Sequence, residues 1–240
     1  MARRTGSDGG KTEQAIRDAA IELIARHGFE AMTLRQLAER VGLQAGSLYR
    51  YFPSKEALLV GLLVEHLHYL LEAWAKAAPS PVPGDPLRPL KDFVAFHIRS
   101  HTLRSKAVFV SNVELRSLAP DDHATVVALR RRYEQVLIDI LRDGERAGVV
   151  RVPDVKLAAY AILAMLTGVG AWYCPGGRLG ESALIAAHTQ LVLQCAGAGA
   201  GTGTGTGAAG AVGAAGTAGA AGTAGADPPT RRQSRSTPTR

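Results

Sequence analysis

With 240 residues, 46% of them hydrophobic and 20% charged, the chain has enough apolar material for one large or two small cores, which excludes a wholly disordered protein. Its two cysteines, Cys174 and Cys195, sit in no close pair, which excludes a disulfide framework or a zinc ribbon and makes reduced, structural thiols the expectation. The net charge of +7 is carried by the ends: residues 1–55 hold nine Lys and Arg against six Asp and Glu, 56–226 fifteen against fourteen, and 227–240 four against one. A basic N-terminal module on a nearly neutral body is the footprint of a protein that meets a polyanion with one end.

Residues 1–10 end Gly-rich, lack apolar periodicity and read as a disordered arm carrying Arg3 and Arg4. From Thr12, the residues Ile16, Ala20, Ile21, Leu23 and Ile24 recur at helical spacing, and Gly28 closes this first helix. In "MTLRQLAERVG", Thr33 and Gln36 have the spacing of a capping box, and Leu34, Leu37, Ala38 and Val41 line one face of a short second helix. Gly42 and Leu43 make a turn, and a third helix runs from Gln44 to Tyr51, where Pro53 stops it. Ser54 caps a long fourth helix whose apolar stripe extends from Leu58 through His66 to Trp74.

After the break "APSPVPGDP", helical patterns recur near 87–103, 106–118, 121–147, 154–174 and 180–196, and the only strand-like fragment is "VVRVP". The expected fold is therefore all-α, with about nine helices. The run "AAYAILAMLTGVGAW" is short for a bilayer helix and soon ended by Pro175, and no basic start leads into a long apolar stretch, so a cytoplasmic protein without a membrane partner is expected. Residues 197–226 contain only Gly, Ala, Thr and Val212, too little apolar surface to offset ordering, so 197–240 reads as a disordered tail with a basic tip.

Two short helices about a glycine turn, the second opening with small residues, have the form of a helix-turn-helix. Gln44, Ala45, Gly46 and Ser47 are small enough to let the helix enter a major groove, while the hydroxyls of Tyr49 and Tyr51 reach toward phosphates at its sides. Ser54 and Lys55 put backbone N–H groups and an ammonium at the positive end of helix four, a phosphate clamp. The stretch from Thr12 to Leu59, above all "TLRQLAERVGLQAGSLYRYFPSKEALL", resembles the DNA-binding region of the TetR family of bacterial repressors. The resemblance implies base or near-base contacts from Arg35, Gln44, Ala45, Gly46 and Arg50. It implies phosphate contacts from Thr33, Ser47, Tyr49, Tyr51 and Lys55. It also implies a division into a DNA-binding domain over 11–56 and a helical effector-binding and dimerisation domain over 57–196. "GAWYCPGGRLG", from Gly170 to Gly180, is similar to the end of the eighth helix in a subgroup that includes regulators of steroid and fatty-acid breakdown, which implies an acyl-CoA thioester or other small hydrophobic effector.

In the body, His97 and His101 lie four apart on one helix face, a two-histidine metal spacing with no third ligand evident, so pocket-lining or solvated histidines are expected and no metal or cofactor. His66 and His68 point to different sides of their helix and read as no site. Glu114, Arg116, Tyr133, Trp172 and Tyr173 are candidate ligand contacts, although internal pairing or core packing competes for each. The arginines of "LRRRYEQVL" read as a solvated face, with a ligand-holding arginine near a pocket mouth as the competing reading. Helices eight and nine are apolar over more of their circumference than one core needs, so Ile162, Met165, Leu166, Leu184, Ile185 and Leu191 are candidates for a homodimer contact. No GxSxG, Walker loop or HExxH is present, which leaves an enzyme acting on thioesters little to stand on. The expectation is a non-enzymatic DNA-binding regulator, a repressor released from a palindromic operator by its effector. A ligand-independent DNA-binding protein of the same fold is the alternative.

Overall fold

The computed structural model describes residues 9–78 and 84–198; the arm before Gly9 and the tail after Ala198 lie outside them. Among the described residues there are nine α-helices and no strand: α1 Gly9–His27, α2 Leu34–Arg40, α3 Ala45–Leu48, α4 Lys55–Ala77, α5 Arg88–Leu103, α6 Ser105–Val113, α7 Pro120–Arg146, α8 Val155–Trp172 and α9 Glu181–Cys195. A 3-10 turn, Glu114–Ser117, follows α6 directly.

Two cores share α4. The first joins Ile16, Ala20 and Ile24 of α1 to Leu37, Leu48 and Phe52, to Leu58, Leu59, Leu62 and Leu63 of α4, and to Val110, Val126 and Leu129 from the body. The second packs Leu70 and Trp74 of α4 against α5, α7, α8 and α9, with Phe93, Leu137, Ile162, Leu166 and Leu184 sealed from water. A helix that puts its first half into one core and its second half into another transmits displacement between them. By length and composition alone α4 and α8 could each cross a bilayer, so the short-run reading of α8 does not hold; yet the buried side of α4 is used by both cores.

Three local expectations change. α1 starts at Gly9, not Thr12, since the first N–H groups of a helix need no intrahelical partner and glycine is tolerated there. α3 is one turn long: Arg50 N donates to Ser47 O, and Tyr51 N and Phe52 N both donate to Leu48 O, closing a turn before Pro53. Pro53 disfavours helical backbone at Phe52, whose ring drops into the first core. "VVRVP" forms no strand; Arg151 N donates to Ala196 O at 2.9 Å and ties the α7–α8 link to the end of α9. Cys174 and Cys195 are free and exposed rather than packed.

The end of α7 turns back over Gly144, whose carbonyl accepts from Val149 N and Val150 N. A Cβ at position 144 would stand 2.5 Å from Val150 Cγ2. Gly144→Ala is therefore expected to destabilise by about 1–3 kcal/mol through overpacking, outweighing the better helix propensity of alanine, as a lowered urea midpoint would show.

Candidate DNA-reading surface and effector cavity

Thr33 caps α2 through the expected box: Gln36 N donates to its hydroxyl at 3.2 Å and Thr33 N donates to Gln36 Oε1 at 2.9 Å. Its hydroxyl also donates to Gln36 Oε1, so the cap engages the proton offered to a phosphate. Gly42, at φ +70°, turns the chain where an L side chain would be strained. Leu37, Ala38 and Leu48 anchor α2 and α3 inward, which leaves Arg35, Gln44, Ala45, Gly46, Tyr49 and Arg50 exposed. The side chain of Arg35 is 84% exposed, with only a loose approach to Glu39. Ser47 is half-buried, and the two tyrosines differ: Tyr49 is 58% exposed, whereas Tyr51 is half-buried against the first core. Ser54 accepts from Ala57 N at 3.0 Å and caps α4. The Lys55 ammonium sits 4.3 Å above the Phe29 ring and donates to Glu30 O at 3.1 Å, so part of its donor capacity braces the α1–α2 loop.

Between α4, α5, α6, α7 and α8 lies a cavity of about 390 Å³. His66, Leu67 and Leu70 come from α4, His97 and His101 from α5, Val108, Ser111 and Asn112 from α6, Arg130, Tyr133 and Glu134 from α7, and Tyr160, Leu163, Ala164 and Thr167 from α8. The His97 and His101 rings stack at 3.7 Å, with His66 edge-on to His101 at 6.4 Å. His97 Nδ1 pairs with the Tyr133 hydroxyl at 3.0 Å and its Nε2 with Thr167 Oγ1 at 3.2 Å. His101 Nδ1 donates to His97 O at 2.9 Å, which leaves Nε2 as the lone-pair nitrogen of that ring. Burial holds all three imidazoles neutral: it lowers His66 to about 3 and His101 to about 4, and takes His97 well below its ordinary value. Burial likewise raises the Tyr133 phenol.

His97, His101 and Tyr133 thus meet at one site; the other candidate ligand contacts do not. Glu114 is buried beneath the DNA-reading end, where its Oε1 accepts from Phe29 N at 3.0 Å and its Oε2 from Ser117 Oγ at 2.8 Å. Arg116 is exposed, Trp172 is 55% exposed and stacks on His188, and Tyr173 packs half-buried on the second core. Of the dimer candidates, Ile162, Leu166 and Leu184 are spent in the chain's own core, Met165 and Ile185 pack half-buried against it, and only Leu191 is exposed. The outward stripe runs instead through Leu157, Ala161, Ala164, Gly168 and Trp172 of α8 and Ala183, Ala187 and Leu191 of α9. Apolar periodicity cannot tell a helix's own core from a surface left for a partner.

The sequence places His66 in no site and reads Arg130 with its neighbours as a solvated face, whereas the structure puts both in the cavity wall. Both carried a signal. His66 occupies the buried stripe of α4 with Leu62, Leu63 and Leu70, and Arg130 shares the inward face of α7 with Val126, Tyr133 and Leu137 while Arg131 and Arg132 face out.

A family model described as "Bacterial regulatory proteins, tetR family" matches residues 16–62, and one described as "Tetracyclin repressor-like, C-terminal domain" matches 83–196. A crystal structure of a bacterial regulatory protein in the tetR family from Rhodococcus RHA1 superposes with a TM-score of 0.72 at 30% identity, covering 78% of this chain and 98% of that one. The chain belongs to the TetR family. Among curated TetR-type relatives, the transcriptional repressor KstR2 of Rhodococcus jostii strain RHA1 is 26% identical over 191 residues, 79% of this chain and 92% of its own length. The TetR fold is shared as well with AibR, solved in complex with isovaleryl coenzyme A and operator DNA, at a TM-score of 0.69 and 22% identity over 75% of this chain and 97% of that one. One family match covers the helix-turn-helix, and the other covers α5 to α9, of which α5 to α8 supply most of the cavity's lining.

Proposed function

We propose that this TetR-family protein is a homodimeric, cytoplasmic repressor released from a palindromic operator by a small hydrophobic or acyl-CoA-type molecule. In this reading residues 11–56 read DNA, 57–196 bind effector and dimerise, and 197–240 form a tail. The observation that carries it is the cavity whose walls, α4 and α6, also supply the first core beneath the DNA-reading helices. A DNA-binding protein without a ligand has no use for such a space in the middle of its body. The name of KstR2 as a repressor and the acyl-CoA in the AibR complex support both halves of the reading. No nucleophile, base and orienting group converge in the cavity, and two of its three histidines, His97 and His101, are engaged with neighbours, so the protein is read as a sensor and not an enzyme. Dimerisation is assigned to the exposed α8–α9 stripe, which sets two recognition helices to meet successive major grooves.

Release is a population shift. An effector that prefers the state with displaced recognition helices by about 3 kcal/mol lowers operator affinity roughly a hundredfold. The test selects an operator from a random duplex pool and screens hydrophobic molecules and acyl-CoA thioesters for release by fluorescence anisotropy. Selection of a palindrome with release by some ligand supports the reading; selection with no release by any turns it toward constitutive binding. Arg35→Ala is expected to relax discrimination between the selected operator and scrambled DNA by roughly tenfold or more, because this guanidinium is free to reach base edges. An equal loss on both duplexes would make Arg35 a phosphate contact only.

A further inference from the structure

The polar groups of the cavity are unequally satisfied. His97 uses both ring nitrogens, His101 uses Nδ1, and the Tyr133 hydroxyl is paired. Two buried nitrogens among the described residues have no partner, Arg130 Nε and His66 Nδ1, and both belong to cavity-lining residues. The Arg130 guanidinium is held on one side only: its Nη2 donates to Ser111 O at 2.6 Å and to Asn112 Oδ1 at 2.8 Å, and no carboxylate of the described residues pairs with it. Glu134, one turn further along α7, lines the same space and helps keep Arg130 charged without forming an ion pair. At His66 the formal charges that are felt are those of Arg104 and Arg130, both positive. A half-buried cation with spare donors, beside an imidazole with an unpartnered nitrogen, is costly when left alone and favours an anionic acceptor. Beyond it, Leu67, Leu70, Val108 and Leu163 provide an apolar lining.

We propose that the effector is a carboxylic acid with an apolar body, its carboxylate bound between Arg130 and His66 and the rest of the molecule laid against Leu67, Leu70 and Leu163. This rests on the cavity being the effector site and narrows that reading to a head group. Both nitrogens are buried, so the acid engages them as the side chains part around it. Because Arg130 also holds the C-terminal end of α6, a carboxylate that draws its guanidinium acts on the helix that leads into the Glu114 contact with Phe29 N.

The test is calorimetric titration of the full-length protein with octanoate, octanoyl-CoA and octylamine, run beside operator release. Octanoate is expected to bind and octylamine, whose head cannot accept, to fail. Arg130→Met, which keeps the length of the side chain but none of its donors, is expected to weaken octanoate roughly ten- to a hundredfold. Should that variant fold poorly, His66→Leu takes its place with a loss of the same direction. Equal octanoate affinity in the variants overturns the carboxylate site. Binding and release by octanoyl-CoA or octylamine but not octanoate also overturns it, while leaving the effector cavity intact. Failure of every ligand, including the wider hydrophobic panel, to bind or release overturns both.

Discussion

Lowering the pH from 7 to 5 is expected to remove much of this protein's stability through three buried histidines. His66, His97 and His101 are each less than 5% exposed and neutral, with the folded value lowered to about 3 for His66, about 4 for His101, and well below the ordinary range for His97. In the unfolded chain each takes up a proton near pH 6.5. The sign follows: above that pH neither state is protonated and the histidines leave stability unaffected. As the pH falls the unfolded state binds up to three protons that the folded state refuses, and the loss continues until the folded values are reached. With all three refusing, the slope is about 4 kcal/mol per pH unit, which by pH 5 removes much of the roughly 5–15 kcal/mol typical of a folded domain. Urea midpoints measured between pH 8 and 5 should be level above about 7 and fall steeply below 6. Replacing His66 by glutamine should flatten the fall by about a third. A flat profile down to pH 5 would mean that water or a counter-ion reaches the imidazoles despite their burial between α4, α5 and α7.

That cavity illustrates what a sequence can and cannot disclose. The helix-turn-helix was legible almost residue by residue, because its signals are local: Thr33 with Gln36 fixes one helix start, Gly42 one turn, and Ser54 another start. The short α3 was misjudged by a few residues, since whether Tyr49 to Tyr51 stay helical is decided by where Phe52 must be buried and not by their own propensities. The cavity was half-legible. His97, His101 and Tyr133 were singled out from spacing and residue type, but their meeting with His66 and Arg130 depends on α4, α5 and α7 crossing at one point, which no periodicity encodes. The same limit applies to the dimer candidates, because Ile162 and Leu166 obey the apolar pattern of a partner-facing surface, and only the packing of α5 and α7 onto α8 shows that this side is already used.

Glu114→Ala is expected to cost about 3 kcal/mol of stability and to weaken operator binding more than any exposed substitution in the body. Its carboxylate is buried at the end of α6 and accepts from the Phe29 amide across 85 residues of sequence, while Ser117 holds the second oxygen. Gly28, at φ +82°, turns the chain so that this amide points at the carboxylate. Truncation to alanine removes two charge-assisted bonds and leaves the amide of a buried residue without an acceptor, and hydrogen bonds to charged groups are worth about 1.5–3 kcal/mol each, partly offset by releasing the carboxylate from burial. The lost anchor belongs to the loop that Lys55 braces from its other side and that positions Thr33 at the start of α2, so the presentation of Arg35 loosens with it. Glu114→Gln keeps one oxygen for Phe29 N and offers an amide to Ser117, and should recover most of both losses. If chemical denaturation and operator titration show the alanine variant unchanged, the junction between the cavity helices and the DNA-reading end lies in α4 alone. If stability falls but operator affinity holds in the fraction that remains folded, Glu114 braces the fold without setting the α2 start, and Arg35 is positioned by the capping box of Thr33 and Gln36.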